Sequence, residues 1–148
     1  MKLIADEHVS PKIVRAVCEM ALSRRTFSLE TVIGNGDFSG QDDEDWVARF
    51  AKSGGHGLLS ADRRMLRRPT LIKQITDTGL VAIFLPAEWA NSRCAYQASH
   101  ILYWWPVIES HFQTVQKGTA WIVPKGHGTG ELRQYVGRER SQKAAATG

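Results

Sequence analysis

Short apolar runs alternate with stretches of helical periodicity along most of the chain. Lys2 to Ala5 reads as a first strand. A helix follows, with Ser10 as N-cap and Pro11 in the first turn, and Ile13, Val14, Val17 and Met20 form its apolar stripe. Phe27 to Ile33 predicts a second strand, closed by Gly34-Asn35-Gly36, and Asp42 to Lys52 predicts a second helix, stopped by Ser53-Gly54-Gly55. Gly57 to Ala61 is a third strand. Pro69 opens a helix through Leu71, Ile72 and Ile75 that ends at Gly79, and Leu80 to Leu85 is a fourth strand, apolar throughout as a central parallel strand should be. Beyond Pro86, Ser92 to Val115 predicts one long helix bent near Pro106, since proline removes a backbone donor and clashes with the preceding turn. Ala120 to Val123 is a candidate fifth strand at the sheet edge. The segment from Lys125 onward is glycine-rich, and its Gln142 to Gly148 end lacks apolar anchors, so a mobile tail is expected there.

This alternation argues for an α/β fold: one domain of three layers, with a central, mostly parallel sheet of four to five strands and helices on both faces. No internal repeat and no second domain are visible. Crossovers in such a chain are right-handed, so each strand's carboxyl end lies on the same edge as the start of the following helix. In the common order 2-1-3-4-5, strands one and three are neighbours at the switch point, where open sheets bind ligands. Asp6 follows strand one and Asp62 follows strand three, so both are expected at that crevice.

Asp43 is expected to join them. At about 100° per residue, it falls within roughly 10° of the centre of the stripe formed by Trp46, Val47, Phe50 and Ala51. Asp42, Glu44 and Asp45 lie roughly 90° or more from that centre and are expected to face water. Two carboxylates 4 Å apart repel by about 4 kcal/mol at an effective dielectric of 20, and a fold answers with a proton, a basic partner or a cation. No lysine or arginine is embedded among these three positions, although Arg63 and Arg64 are close in sequence. Oxygen ligands alone favour magnesium or manganese, which lower the pKa of a bound water and neutralise phosphate charge. The bland alternative is that Asp6 and Asp62 only cap turns, and that Asp43 only favours the positive end of its helix. Glu7 and His8 are secondary candidates, His8 more ordinarily as a solvated or capping group.

Charge placement changes the picture more than composition does. The 148 residues carry a net charge of +4, which favours a polyanionic partner without requiring one. Asp37, Asp42, Asp43, Glu44 and Asp45 form an acidic stretch, and Arg63, Arg64, Arg67, Arg68 and Lys73 a basic one, so the surface is expected to be segregated by sign. Arg63, Arg64, Arg67 and Arg68 directly follow Asp62, within reach of phosphates across the crevice. They equally suit a solubilising loop or a surface for an acidic protein partner. Tyr103, Trp104, Trp105 and Phe112 have the chemistry to stack bases, but aromatics at helical spacing ordinarily bury against a sheet. Cys18 and Cys94 have no ligand spacing and read as buried free thiols of a reducing cytosol. The longest apolar run, Ile101 to Ile108, is too short to span a bilayer and no signal-peptide core precedes Asp6, so a soluble cytoplasmic protein with no membrane partner is expected. There is no phosphate-cradling GxxxxGK[ST] loop, no dinucleotide fingerprint in a strand-then-helix setting, and no inferable Ser/His/Asp triad.

The opening LIADEHVSPKIVRAV, the helix GQDDEDWVARFA and the strand end GLLSADRRM together resemble the PIN-like nuclease family, in particular the short group related to VapC-type toxins of toxin–antitoxin pairs. The resemblance covers about Met1 to Pro86. It implies a PIN-like nuclease domain over residues 1–124, with a glycine-rich basic tail over 125–148. It further implies metal-dependent RNA cleavage with magnesium or manganese, with Asp6, Asp43 and Asp62 as catalytic and metal-binding acids and Ser60 as the associated hydroxyl. Arg64 stands where many relatives show a further acid, a departure that bears on a second metal, for which Glu7 or Asp45 are the available substitutes. Ser60, Arg63, Arg64, Arg67 and Arg68 are then the substrate-side residues, RNA and a cognate antitoxin the partners, and a homodimer an open alternative.

The functional expectation is a ribonuclease, the toxin of such a pair. A phosphoacceptor receiver domain is a second scheme, since Asp6, Glu7, Asp62 and Lys125 imitate its acids and its lysine; the inward Asp43 and the arginine cluster fit it poorly. A third is a catalytically inactive PIN-fold module that binds RNA or protein, as Arg64 hints.

Overall fold

The computed structural model describes residues 1–137. Six strands form one sheet: β1 (Lys2–Ala5), β2 (Ser28–Thr31), β3 (Gly57–Ser60), β4 (Val81–Phe84), β5 (Ala120–Ile122) and β6 (Arg133–Tyr135). Four helices connect them: α1 (Pro11–Met20), α2 (Asp43–Lys52), α3 (Pro69–Thr78) and α4 (Cys94–Thr114). The strand order is β2-β1-β3-β4-β5-β6, parallel from β2 to β5, with β6 antiparallel to β5.

The α/β architecture and the order of the first five strands agree with the periodicity. The sheet has one strand more than the four to five expected. The added β6 lies in the stretch expected to be mobile, and it makes β5 an inner strand rather than the edge. Residues 138–148, which include the Gln142 to Gly148 end, lie outside the described residues.

Side chains alternate across the strands and split the core in two, as a sheet covered on both faces requires. Leu3, Ala5, Leu59, Val81 and Ile83 pack with Ile13, Val14 and Val17 of α1 and Ile101, Trp104, Trp105 and Ile108 of α4. On the other face, Ile4, Leu58, Ala82 and Phe84 pack with Trp46, Val47 and Phe50 of α2 and Leu71 and Ile75 of α3. Met20, expected in the apolar stripe of α1, is instead exposed at the end of the helix. Pro106 sits within the single helix α4. Gly57 at the start of β3 is required by close packing, because a Cβ there would stand 2.4 Å from the Phe112 ring and 2.7 Å from Leu3. Gly79 ends α3 in the left-handed conformation, with φ 77°, that glycine adopts without a steric penalty.

The long helix settles the aromatic alternatives. Trp104, Trp105 and Phe112 are buried in the core, while Tyr103 is partly exposed and donates to the Gly128 carbonyl at 2.8 Å. Both cysteines are free, but only Cys18 is partly sheltered; Cys94, expected to be buried, is exposed at the first residue of α4. Among the described residues, no helix is long and apolar enough to cross a membrane.

Candidate functional site

β1 and β3 are adjacent parallel strands, so the residues that follow them meet across one crevice. The Asp6 N–H donates to the Leu59 carbonyl at 2.9 Å, which holds the first acid beside the end of β3. Asp6 is 1% exposed. Its carboxylate accepts from the Ser60 hydroxyl at 2.5 Å and from the backbone N–H groups of His8 at 3.1 Å and Ala61 at 3.3 Å. The Ser60 oxygen in turn accepts the Asp62 N–H at 3.0 Å, so one hydrogen-bonded chain links the first acid to the third.

Burial pushes the Asp6 carboxyl above its ordinary range, and the bonds from Ser60 and Ala61, with the nearby His8, offset this only in part. The one basic side chain near it is His8, whose Nδ1 stands 3.7 Å from Asp6 Oδ2. Among the described residues Asp6 has no lysine or arginine partner. A carboxylate in that condition calls for a proton or a cation.

Asp62 stands one residue past β3's last residue plus one, at the start of the 3-10 turn Arg63–Arg67, and it does cap that turn. Its Oδ1 accepts from the Arg64 backbone N–H at 3.0 Å and from Arg64 Nε at 2.9 Å. Burial alone would raise this carboxyl, but the Arg64 hydrogen bonds and the charge of His8 prevail and hold it below the usual value. The Arg64 guanidinium is held above its own usual range, chiefly by the bond to Asp62, with Asp43 adding to the effect. His8 thus acts electrostatically on Asp6 and Asp62, and Arg64 on Asp62 and Asp43.

Asp43 opens α2. Its Oδ1 accepts from Trp46 Nε1 at 3.0 Å and its Oδ2 from Arg68 Nη1 at 2.8 Å. The other arm of Arg68 binds the Glu44 carboxylate, which also accepts from Thr70 Oγ1 at 3.1 Å. Gln74 Nε2 donates to the Glu44 carbonyl at 2.9 Å, so α2 and α3 are stapled together beside the rim.

Several expectations are corrected by this arrangement. Two arginines are embedded among the acids, Arg64 on Asp62 and Arg68 on Asp43, because the turn after β3 folds back across the crevice and carries both guanidiniums to carboxylates. Glu44, expected to face water, is only partly exposed and shares Arg68, whereas Asp42 and Asp45 are exposed as expected. Ser60, expected on the substrate side, is fully buried with its proton directed at Asp6, so it positions the acid. Glu7 is exposed, without a hydrogen bond to the other acids. Of the substrate-side arginines, Arg63 and Arg67 have no ion-pair partner among the described residues.

The donor chemistry of Asp6, Asp43 and Asp62 fits a hard divalent cation, being oxygen throughout. As they stand the three acids form no ligand set, since among the described residues no three His, Cys, Asp or Glu side chains stand close enough together to hold an ion, and Arg64 and Arg68 occupy oxygens of Asp62 and Asp43. An ion would require the carboxylates to move together as well as the guanidiniums to leave. The guanidiniums themselves are weakly held. The Arg64 and Arg68 side chains are 76% and 42% exposed, and solvent-screened ion pairs contribute little to stability.

No curated protein and no solved structure matches the chain. A model of the PIN-like domain matches residues 1–87, which is more than half of the 148 residues and contains Asp6, Asp43, Ser60 and Asp62. With strand ends, helix start and sheet order all in keeping with that match, the chain belongs to the PIN-like domain family.

Proposed function

We propose that the protein is a metal-dependent endoribonuclease acting in the cytoplasm as the toxin of a toxin–antitoxin pair. The observation that carries this reading is the buried Asp6 carboxylate, which follows β1 at the switch point and has, among the described residues, neither lysine nor arginine to neutralise it. Membership of a family of nuclease-type domains supports the same chemistry. Asp6, Asp43 and Asp62 would hold magnesium or manganese, which when bound supplies a water of lowered pKa and neutralises charge on a phosphate oxygen. Ser60 and the Ala61 N–H fix the orientation of Asp6, and the His8 ring stands beside it, with Nδ1 3.7 Å from Asp6 Oδ2. Arg64 and Arg68 hold Asp62 and Asp43 in the resting form and are free to turn to substrate phosphates once released. The cognate antitoxin, as an acidic partner, would compete for those guanidiniums.

Induced expression should arrest growth, and Asp6→Asn should relieve the arrest at equal protein level. In vitro, the full chain should cleave RNA with manganese, stop on addition of chelator, and lose activity as Asp62→Asn. Unimpaired growth together with intact RNA would overturn the proposal. The guanidinium pairs favour one second reading, a PIN-fold module that binds RNA or protein without turnover; retained RNA binding with no cleavage at any manganese concentration would select it.

A further inference from the structure

The C-terminal third adds a wall that the family match, ending at residue 87, does not include. Two hollows of about 450 and about 310 Å³ share Arg63, Ile122 and Arg133, and together they form a cleft over the ends of β4 and β5. Pro86, Ala87, Glu88, Val123, Pro124 and Lys125 complete its lining on the side of the larger hollow, so one carboxylate, Glu88, stands among its bases. The register runs Ser60 to Phe84, Phe84 to Ile122 and Ile122 to Arg133, so the cleft continues the same sheet edge that carries Asp6 and Asp62. Three strand spacings of about 4.8 Å separate Ser60 from Arg133, on the order of 14 Å, a span that a few nucleotides cover.

Arg63 and Arg133 face this cleft without an ion-pair partner among the described residues, in contrast to Arg64 and Arg68. Lys125 has only a loose contact, 3.8 Å to Glu88, with both side chains largely in water. The walls are nevertheless held firmly. Four side chains of α4 bind the carbonyls of one loop: His100 to Pro124 at 2.7 Å, Tyr96 to Lys125 at 2.7 Å, Trp104 to Gly126 at 2.7 Å and Tyr103 to Gly128 at 2.8 Å. Tyr135 of β6 donates to the Leu66 carbonyl at 3.1 Å, which ties the far wall to the turn that bears Arg63. Unpaired guanidiniums on a preorganised groove are suited to phosphate, which they bind in a fork.

We propose that this cleft is the binding track for a single RNA strand leading away from the acid rim, with Arg63 and Arg133 on its phosphates and the partly exposed Pro124 offering flat apolar contact to a ribose. The choice of RNA over an acidic peptide rests on the nuclease reading, because the groove begins one residue from Asp62.

The test measures anisotropy of a labelled, mixed-sequence single-stranded oligoribonucleotide with the full chain in chelator, over a series of salt concentrations. Arg63→Gln and Arg133→Gln should each weaken binding about fivefold and reduce the log–log salt slope by about 0.7, the loss of one phosphate contact, while Arg15→Gln on the exposed face of α1 leaves both unchanged. Equal thermal melting of all variants confirms that the fold is intact. Unchanged affinity and slope in Arg133→Gln would overturn the track, as would displacement of the strand by polyglutamate at equal charge concentration, which would assign the cleft to an acidic protein segment. A parallel manganese cleavage assay separates the two proposals: cleft-dependent binding without cleavage supports the track and removes the nuclease.

Discussion

The acid rim and the neighbouring cleft lie on one edge of the same sheet, yet they treat charge in opposite ways. At the rim, two of three aspartates are already engaged by arginines, and the third is buried with only a histidine near it. In the cleft, Arg63 and Arg133 have no ion-pair partner among the described residues, although Glu88 also lines it. The comparison teaches that sign segregation along the sequence did not carry over into space: the basic stretch after β3 divides, with Arg64 and Arg68 turning back to the acids and Arg63 turning outward. A rim whose charge is latched and a groove whose charge is open amount to a division between reaction and substrate hold.

The largest expected effect breaks the rim. Asp62→Asn should lower manganese-dependent cleavage of RNA on the order of 10³-fold, a loss of several kcal/mol of transition-state stabilisation, with strand binding in chelator nearly unchanged. Cleavage within a few fold of native would remove the rim from the chemistry.

Reversing the cleft is next. Arg133→Glu should weaken strand binding by about tenfold or more near 0.1 M salt, and the deficit should shrink as salt is raised. A salt-independent deficit would point to a damaged wall rather than a lost phosphate contact.

Releasing the latch should favour the cation. With Arg68→Gln, Asp43 and Glu44 lose their shared partner, so the melting temperature without metal should fall slightly and the rise on adding manganese should exceed that of the native chain. At a hundredfold excess over Kd, a bound ion adds about 2.7 kcal/mol of stability, a shift of several degrees for a chain of this size. An identical manganese response in both would show that Arg68 does not obstruct the ion.

The smallest effect is a pH dependence, and its sign differs between the two strand-end acids. Asp62 is held below the ordinary carboxyl value, so its contribution is present above that value and lost as pH falls through the folded pKa. Asp6 is held above the ordinary 3.8, so the folded state binds its proton more tightly and stability declines as pH rises through that window. Asp6→Asn should therefore gain stability relative to the native chain as pH rises above the ordinary carboxyl value, measured by thermal melts in chelator. A relative loss as pH rises would contradict the burial argument.

Much of the fold was legible because glycine and proline punctuate it. Pro11 and Pro69 open α1 and α3, and Gly79 closes α3 where expected. The placement of Asp6 and Asp62 followed from strand-end logic alone. The Arg68 contact with Asp43, 25 residues back, was not legible, since it depends on how closely α3 approaches α2. Glu44 was misassigned for the same reason: a helical wheel knows one helix and not its neighbour. β6 escaped because Arg-Gln-Tyr has no apolar alternation, and it joins the sheet through backbone pairing to β5. Arg133 had no signal in the chain beyond its charge.

The most direct measurement is calorimetric titration of manganese into the full chain, native beside Asp6→Asn. The account predicts saturable binding in the native protein that Asp6→Asn abolishes or weakens at least tenfold. Equal binding by both chains, or none by either, would contradict it.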